Sequence, residues 1–358
     1  MQTSKISVAL ICGGQSPEHE VSLMSAQNVL NAIDVREFDC HVIYIHKSGS
    51  WHYVDEKLHQ SLNELVHKTL PVIHLVMGAK DKKYFCDENN HLLSAIDIAF
   101  PVLHGQLGED GTIQGLFKML NLPFVGNDVL SSAVCMDKEI TKKLLKYAGI
   151  NVPKFLVFYS HEKEKLNFEH ISQELNLPFF MKPANTGSSI GVKKIKNKLD
   201  FDEALQQLFY YDQKILVEEY IAGREIELSI LGNQEQLIAS IPGEIICHHE
   251  FYSYEAKYID KNGADVIIPT ELAESEIHEF QHIALKAFTA LCCTGLARVD
   301  FFYSQPEKKI YLNEINTLPG FTNISMYPKC FQYSELPYPE LVRKLLILGL
   351  EKQRIYGL

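Results

Sequence analysis

Arg298 and Asp300 stand two residues apart, as do Glu314 and Asn316, within the stretch ARVDFFYSQPEKKIYLNEINTLPG at 297–320. Residues two apart on extended backbone leave the same face. The stretch reads as two strands joined by a polar turn, which puts each of these pairs on one face. Asp300, Glu314 and Asn316 are hard oxygen donors of the kind Mg²⁺ takes, with phosphate and water completing its shell. Arg298 adds a planar cation suited to a phosphate or a carboxylate. The turn Asn316-Thr-Leu-Pro-Gly320 can turn backbone N–H groups toward a ligand. An ordinary hairpin with a solvated charged face fits the same letters, and the hairpin alone does not separate the two readings.

Other residues bear on the choice. Lys182 ends the apolar run PFFMKP at 178–183, where an ammonium must reach water or an anion. Small, hydroxyl-bearing and glycine residues follow at 184–192 (ANTGSSIGV), either a phosphate cover or a plain hairpin loop. Glu218, Glu219 and Glu225 flank the turn at 221–223, as acceptors for ribose hydroxyl or adenine amino protons or as exposed turn acids. Lys138 falls in Met-Asp-Lys-Glu at a helix start, whereas Lys142, Lys143 and Lys146 read as that helix's solvated face. The loop HGQLGEDGTIQG at 104–115 holds four glycines and the acidic pair Glu109-Asp110. It lies at the carboxyl end of an apolar strand, where ligands bind in open α/β sheets. The segment 251–258 is an aromatic-rich loop with one cation, Lys257.

The elements that must position these groups follow. A strand at 5–11 runs into Gly13-Gly14-Gln15-Ser16-Pro17-Glu18 and then a helical pattern, the opening of a doubly wound domain. Ser16 suits the N-cap, Pro17 the first helical position and Glu18 the first turn. Further strands are expected at 40–46, 95–103, 123–126, 152–158, 178–183, 214–220 and 224–231. Helices are expected at 131–149, 161–175, 271–293 and 339–350. Residues 48–92 carry no clear pattern.

A chain of 358 residues has room for two or three domains. The formal net charge of −11 gives no global field for nucleic acid, so an anionic substrate must be held by local cations such as Lys138, Lys182, Lys257 and Arg298. No apolar run approaches the roughly 20 residues that span a bilayer. The eight cysteines form no C-x-x-C and read as reduced core thiols of a cytosolic protein; Cys247-His248-His249 lacks a fourth metal ligand. The Walker sequence G-x-x-x-x-G-K-[ST] is absent. Together these residues describe a nucleotide-using enzyme with two phosphate-binding lysines and an Mg²⁺ hairpin.

The motifs GGQSPEHEVS (13–22), HGQLGEDGTIQG (104–115), MDK (136–138), KP (182–183), GSSIGV (187–192), YSYEAKY (252–258), ARVDF (297–301), NEINTLPG (313–320) and FTNISMYP (321–328) resemble, in that order, those of the D-alanine–D-alanine ligases of the ATP-grasp superfamily. The resemblance implies an α/β chain with a Rossmann-like N-terminal domain (1–127), a central ATP-grasp subdomain (128–220) and a C-terminal ATP-grasp subdomain (221–358). It implies ATP held by Lys138, Lys182, Ser188, Glu218, Glu219, Ile221, Glu225, Lys257 and Asn313. Two Mg²⁺ ions, or Mn²⁺, would sit on Asp300, Glu314 and Asn316. Glu18 would meet the ammonium of a first D-alanine and His104 its carboxylate. Lys257, Ser325 and Met326 would hold a second D-alanine. Arg298 and the Gly320 N–H would steady a tetrahedral oxyanion, and Glu18, Ser188 and Tyr258 would form a hydrogen-bonded set linking a closing lid. The Lys257-Tyr258 pair resembles dipeptide-forming members more than depsipeptide-forming ones. The family also implies a cytoplasmic homodimer serving peptidoglycan synthesis, with no nucleic-acid or membrane partner. Rival readings are a D-alanine–D-lactate ligase, another ATP-grasp carboxylate–amine ligase, and a non-catalytic nucleotide-binding protein.

Overall fold

The computed structural model describes residues 5–233, 236–248 and 263–356. The first sheet contains β1 (Ile6–Gly13), β2 (Phe38–Ile45), β3 (Trp51–Val54) and, after a small hairpin of β4 (Ile73–Leu75) and β5 (Phe85–Asp87), β6 (Ile98–Val102). Its order is β3-β2-β1-β6, with β1 parallel to both β2 and β6. A strand flanked on both sides in a parallel sheet is covered on both faces, which is why β1 reads ISVALICG with no polar alternation. Residues 48–92, unpatterned in sequence, supply β3, two short 3₁₀ turns and the β4–β5 hairpin.

The next sheet is antiparallel and built from β7 (Phe155–Tyr159), β8 (Phe179–Pro183), β9 (Lys193–Ile195) and β10 (Lys214–Glu219), in the order β7-β10-β8-β9. The largest sheet holds β11 (Arg224–Gly232), β12 (Ile238–Ala239), β13 (Gly243–Cys247), β14 (Ala264–Ile267), β15 (Gly295–Ser304) and β16 (Lys309–Asn316). Its path runs β14-β13-β11-β15-β16, with β12 alongside β11. The helices among the described residues are α1 (His19–Ala32), α2 (Thr112–Met119), α3 (Val129–Met136), α4 (Lys138–Tyr147), α5 (Phe168–Leu175), α6 (Lys198–Tyr211), α7 (Glu274–Ala290), α8 (Met326–Tyr333) and α9 (Tyr338–Tyr356). No helix among the described residues is long and apolar enough to cross a membrane.

The apolar core beside the first sheet is completed from the far end of the chain. Leu296, Phe321, Tyr327 and Phe331 join Leu341 and Leu345 of α9 against Leu10, Leu23 and Phe100. Each such buried side chain contributes about 1.5–3 kcal/mol. Asn127, at the expected first boundary, is buried and ties the two regions together. Its amide donates to the carbonyls of Leu296 (2.6 Å) and Thr317 (3.1 Å) and accepts from the Thr294 N–H (2.9 Å).

Several sequence expectations need correction. Helix α1 starts at His19, with Glu18 at its N-cap and not Ser16. The Ser16 hydroxyl instead accepts from the Glu18 N–H at 3.2 Å, closing a turn before the helix. The helix expected over 131–149 is two helices, broken at Asp137, whose carboxylate caps α4 by accepting from the N–H groups of Glu139 and Ile140, both at 3.1 Å. The 161–175 helix is a 3₁₀ segment followed by α5, which Asn167 caps. Residues 123–126 form a single parallel bridge, Ala99 to Phe124, in place of a strand. Lys142 is not on a solvated face: it is 1% exposed. Its position four residues after Lys138 turns it onto the buried side of α4, where it finds a carboxylate partner.

Candidate active site

The hairpin of β15 and β16 forms as its alternation predicts, and its register sets the site. Asp300 pairs with Glu314 and Arg298 with Asn316, with an irregularity in the ladder just after Asp300. On the other side of β15, Glu227 of β11 lies opposite Asp300. Three carboxylates therefore stand in a row across three neighbouring strands. Arg298 neutralises two of them. Its Nε and Nη2 donate to Asp300 Oδ1 and Oδ2, each at 2.7 Å, and its Nε lies 2.9 Å from Glu227 Oε2. Sequence reading passed over Glu227. The alternation in REIELSIL sets it on the face of Glu225, but its register against Asp300 is a long-range fact.

Two cavities meet on this hairpin. One, of about 690 Å³, is lined by Glu18, His104, Arg298, Asn316, Gly320, Ser325 and Met326. The other, of about 470 Å³, is lined by Lys182, Glu218, Glu219, Ile221, Glu225, Asp300 and Asn313. Lys138, Ser188, Glu227 and Glu314 line both. The structure thus brings together, around two adjoining spaces, every expected site residue except Lys257 and Tyr258, which lie outside the described residues.

At the junction, the Lys138 ammonium donates to the Thr186 carbonyl at 2.6 Å and lies 4.0 Å from Glu314. Burial pushes its pKa down, against the pull of Glu314. In the second cavity, Lys182 pairs with Glu218 at 2.5 Å, and Lys142 reaches the same carboxylate at 2.9 Å. Burial would raise the Glu218 pKa, but the two ammoniums outweigh it and hold the carboxyl below the usual range. Asn313 Oδ1 is buried with no hydrogen-bond partner among the described residues, an acceptor left for a ligand.

In the first cavity, the Ser188 hydroxyl donates to Glu18, linking the 186–192 loop to the start of α1. Ser188 and Ser189 both take the left-handed conformation, φ +51° and +58°, which L-residues adopt only at some strain. Gly105 is required against Glu18: its φ is +73°, and a Cβ there would stand 2.8 Å from Glu18 Oε2. Likewise a Cβ on Gly320 would lie 2.8 Å from Ser325 Oγ, so glycine keeps this corner open. His104 is buried, with Nδ1 3.1 Å from the Leu318 carbonyl and 3.8 Å from Glu109 Oε1. Burial opposes its protonation, yet Glu109, Glu18 and that carbonyl together raise its pKa. Burial also raises the pKa of Glu109, a second cavity residue the sequence reading named only as part of an acidic pair.

The donor set bears on a metal. Among the described residues no three His, Cys, Asp or Glu side chains converge to enclose an ion alone. Glu314, Asp300, Asn316 and the orphaned Asn313 oxygen are nonetheless all hard donors at the cavity junction. That set fits Mg²⁺, which takes one or two carboxylates plus substrate phosphates where Ca²⁺ takes a protein cage.

The family model "D-ala D-ala ligase N-terminus" matches residues 7–127, and "D-ala D-ala ligase C-terminus" matches residues 144–347. A D-alanine–D-alanine ligase of Oceanobacillus iheyensis is 47% identical over 356 residues, 98% of this chain and 96% of that protein. The solved D-alanine–D-alanine ligase of Coxiella burnetii superposes with a TM-score of 0.88 at 38% identity, covering 99% of this chain and 97% of its own. The VanG D-Ala:D-Ser ligase of Enterococcus faecalis gives 0.86 at 36% identity, covering 97% and 100%.

Proposed function

The chain belongs to the D-alanine–D-alanine ligase family, an ATP-dependent ligase group of ATP-grasp fold, and from that premise we infer that it joins two D-alanine molecules into D-alanyl-D-alanine with conversion of ATP to ADP and phosphate. The observation that carries this reading is the sharing of Lys138 and Glu314 between the two cavities. A nucleotide in one and an amino acid in the other would meet there, phosphate against carboxylate.

ATP would occupy the 470 Å³ cavity, its phosphates against Lys138 and Lys182 under Ser188. Glu218, Glu219 and Ile221 would border the adenine, Glu225 the ribose, and Asn313 the phosphate end. Asp300, Glu314 and Asn316 would hold two Mg²⁺ ions, or Mn²⁺, which when bound supply neutralisation of the phosphate charge that otherwise repels a carboxylate. The first D-alanine would set its ammonium on Glu18 and its carboxylate by His104. A carboxylate is a poor acyl donor because its charge resists nucleophiles. Its oxygen therefore attacks the γ-phosphorus, the bond to the β–γ bridging oxygen breaks, and ADP leaves an acyl phosphate. The neutral amine of the second D-alanine, its carboxylate held by Lys257, Ser325 and Met326, adds to the acyl carbon. Arg298 and the Gly320 N–H receive the oxyanion, an arrangement worth about 3 kcal/mol per donor. Phosphate departs, the amine loses its proton and the dipeptide remains.

An acyl phosphate must be kept from water. The Ser188–Glu18 contact supports a closed position of the 186–192 loop over the junction; the family resemblance adds Tyr258, outside the described residues, as a third member. The three-part division at 127 and 220, a cytoplasmic setting, a homodimer and a role in peptidoglycan precursor synthesis belong to the same reading and rest on the family. Its test is D-alanine-dependent phosphate release from ATP with the dipeptide identified, repeated with D-lactate and D-serine competing as second substrate. Phosphate release without dipeptide, or none from folded protein with Mg²⁺, would overturn it.

A further inference from the structure

Lys142 has no place in the reaction above, and it lines neither cavity. It is nonetheless among the most deeply buried charged side chains in the protein, 1% exposed. A lysine is so enclosed only when its charge is matched and its donors are used. Both conditions hold. Its Nζ lies 2.9 Å from Glu218 Oε1 on β10 and donates to the Asn313 carbonyl of β16 at 3.0 Å. These two strands belong to different sheets, the two between which the nucleotide cavity opens. One ammonium on α4 thus fastens both walls of the cavity from behind.

Charge counting gives it a second consequence. Glu218 has two cationic partners, Lys142 behind the wall and Lys182 on the cavity surface. Were Lys182 its only partner, the pair would be neutral and would offer a phosphate little net attraction in a buried site. With Lys142 sharing the carboxylate, the cluster holds two cations to one anion, and the surplus charge faces the cavity through Lys182. We propose that Lys142 is a positioning residue for the nucleotide: by sharing Glu218 and holding the Asn313 carbonyl, it leaves the Lys182 ammonium incompletely neutralised toward phosphate and fastens β10 to β16 across the cleft. This inference rests on the proposed nucleotide site.

The test compares K142M, K142Q and K142R with the native enzyme by calorimetric titration with Mg-ATP, by steady-state KM for ATP and for D-alanine, and by thermal unfolding. K142M is expected to weaken ATP binding tenfold or more and to raise KM for ATP alike, with KM for D-alanine within twofold of native. K142R, which keeps the charge, is expected to stay within about threefold for ATP. K142Q takes the place of K142M should that protein fail to fold, since it retains a donor for the Asn313 carbonyl and removes the charge. An unchanged ATP affinity in folded K142M or K142Q, equal losses for ATP and D-alanine, or failure of both variants to fold would each overturn the positioning role. Absence of ATP binding by the native protein would instead overturn the site on which it rests.

Discussion

The Ser188 hydroxyl donates to a carboxylate oxygen of Glu18, 170 residues away along the chain, and closes the 186–192 loop onto the start of α1. Ser188 lines both cavities, Glu18 the larger of the two. It joins the loop expected over the phosphates to the carboxylate expected at the first ammonium.

Ser188→Ala removes that link from a half-buried loop residue. A hydrogen bond to a charged group contributes roughly 1.5–3 kcal/mol, so KM for the first D-alanine should rise roughly ten- to hundredfold. Steady-state kinetics at saturating ATP measure it. An unchanged KM would mean that the contact is incidental to substrate binding.

Arg298→Ala should act twice. It takes one donor from the oxyanion, and turnover should fall by about 10²–10³. It also strands the buried Glu227 and the partly buried Asp300, and breaking a buried pair costs up to about 3–5 kcal/mol of stability. Denaturant unfolding and single-turnover rates separate the two effects. Arg298→Lys keeps a cation but not the fork, so it should recover more stability than turnover.

The His104 pair gives a pH dependence. The folded-state pKa is raised, so the imidazolium's contribution to stability is full below the unfolded value of about 6.5 and is lost as pH rises through the raised folded value. Affinity for the D-alanine carboxylate should fall over the same range, above pH about 6.5. Glu109→Gln removes the main supporting charge and should move the fall to lower pH. A profile of KM for D-alanine against pH checks it; identical profiles for native and variant would refute Glu109's part.

Glu314→Gln should raise the Mg²⁺ concentration needed for half-maximal activity by tenfold or more, a loss typical of removing a carboxylate that orients or holds a metal. Thermal unfolding of the variant separates this effect from any loss of stability through the partly buried Lys138 ammonium that Glu314 faces at 4.0 Å. A metal titration of activity, with chelator-treated protein as the zero point, gives the comparison. No shift in the requirement would move the metal to other donors.

How much of this was legible in the sequence follows from the range of the interactions. The β15–β16 hairpin was readable because its alternation and its turn are local, and Arg298, Asp300, Glu314 and Asn316 took their places from it. Helix ends were less legible. Asp137 breaks the 131–149 pattern with a side-chain cap that competes with helix continuation, a contest the apolar spacing does not reveal. Lys142 was misread for a different reason. Four lysines on one helix look solvated, and only the arrival of Glu218 from β10 makes one of them internal. Glu227 and Glu109 carried visible signals, alternation and an acidic pair in a glycine loop. Their partners, Asp300 and His104, are fixed by sheet register and loop packing, which no single stretch contains.

The central claim is that the first substrate's carboxylate is phosphorylated at the junction of the two cavities. It is tested most directly with D-alanine labelled in its carboxylate oxygens with ¹⁸O. Turnover through an acyl phosphate moves one labelled oxygen from the amino acid to inorganic phosphate, which mass spectrometry of the released phosphate detects alongside ADP and the dipeptide. Unlabelled phosphate with dipeptide formed, or label appearing in AMP, would contradict the account.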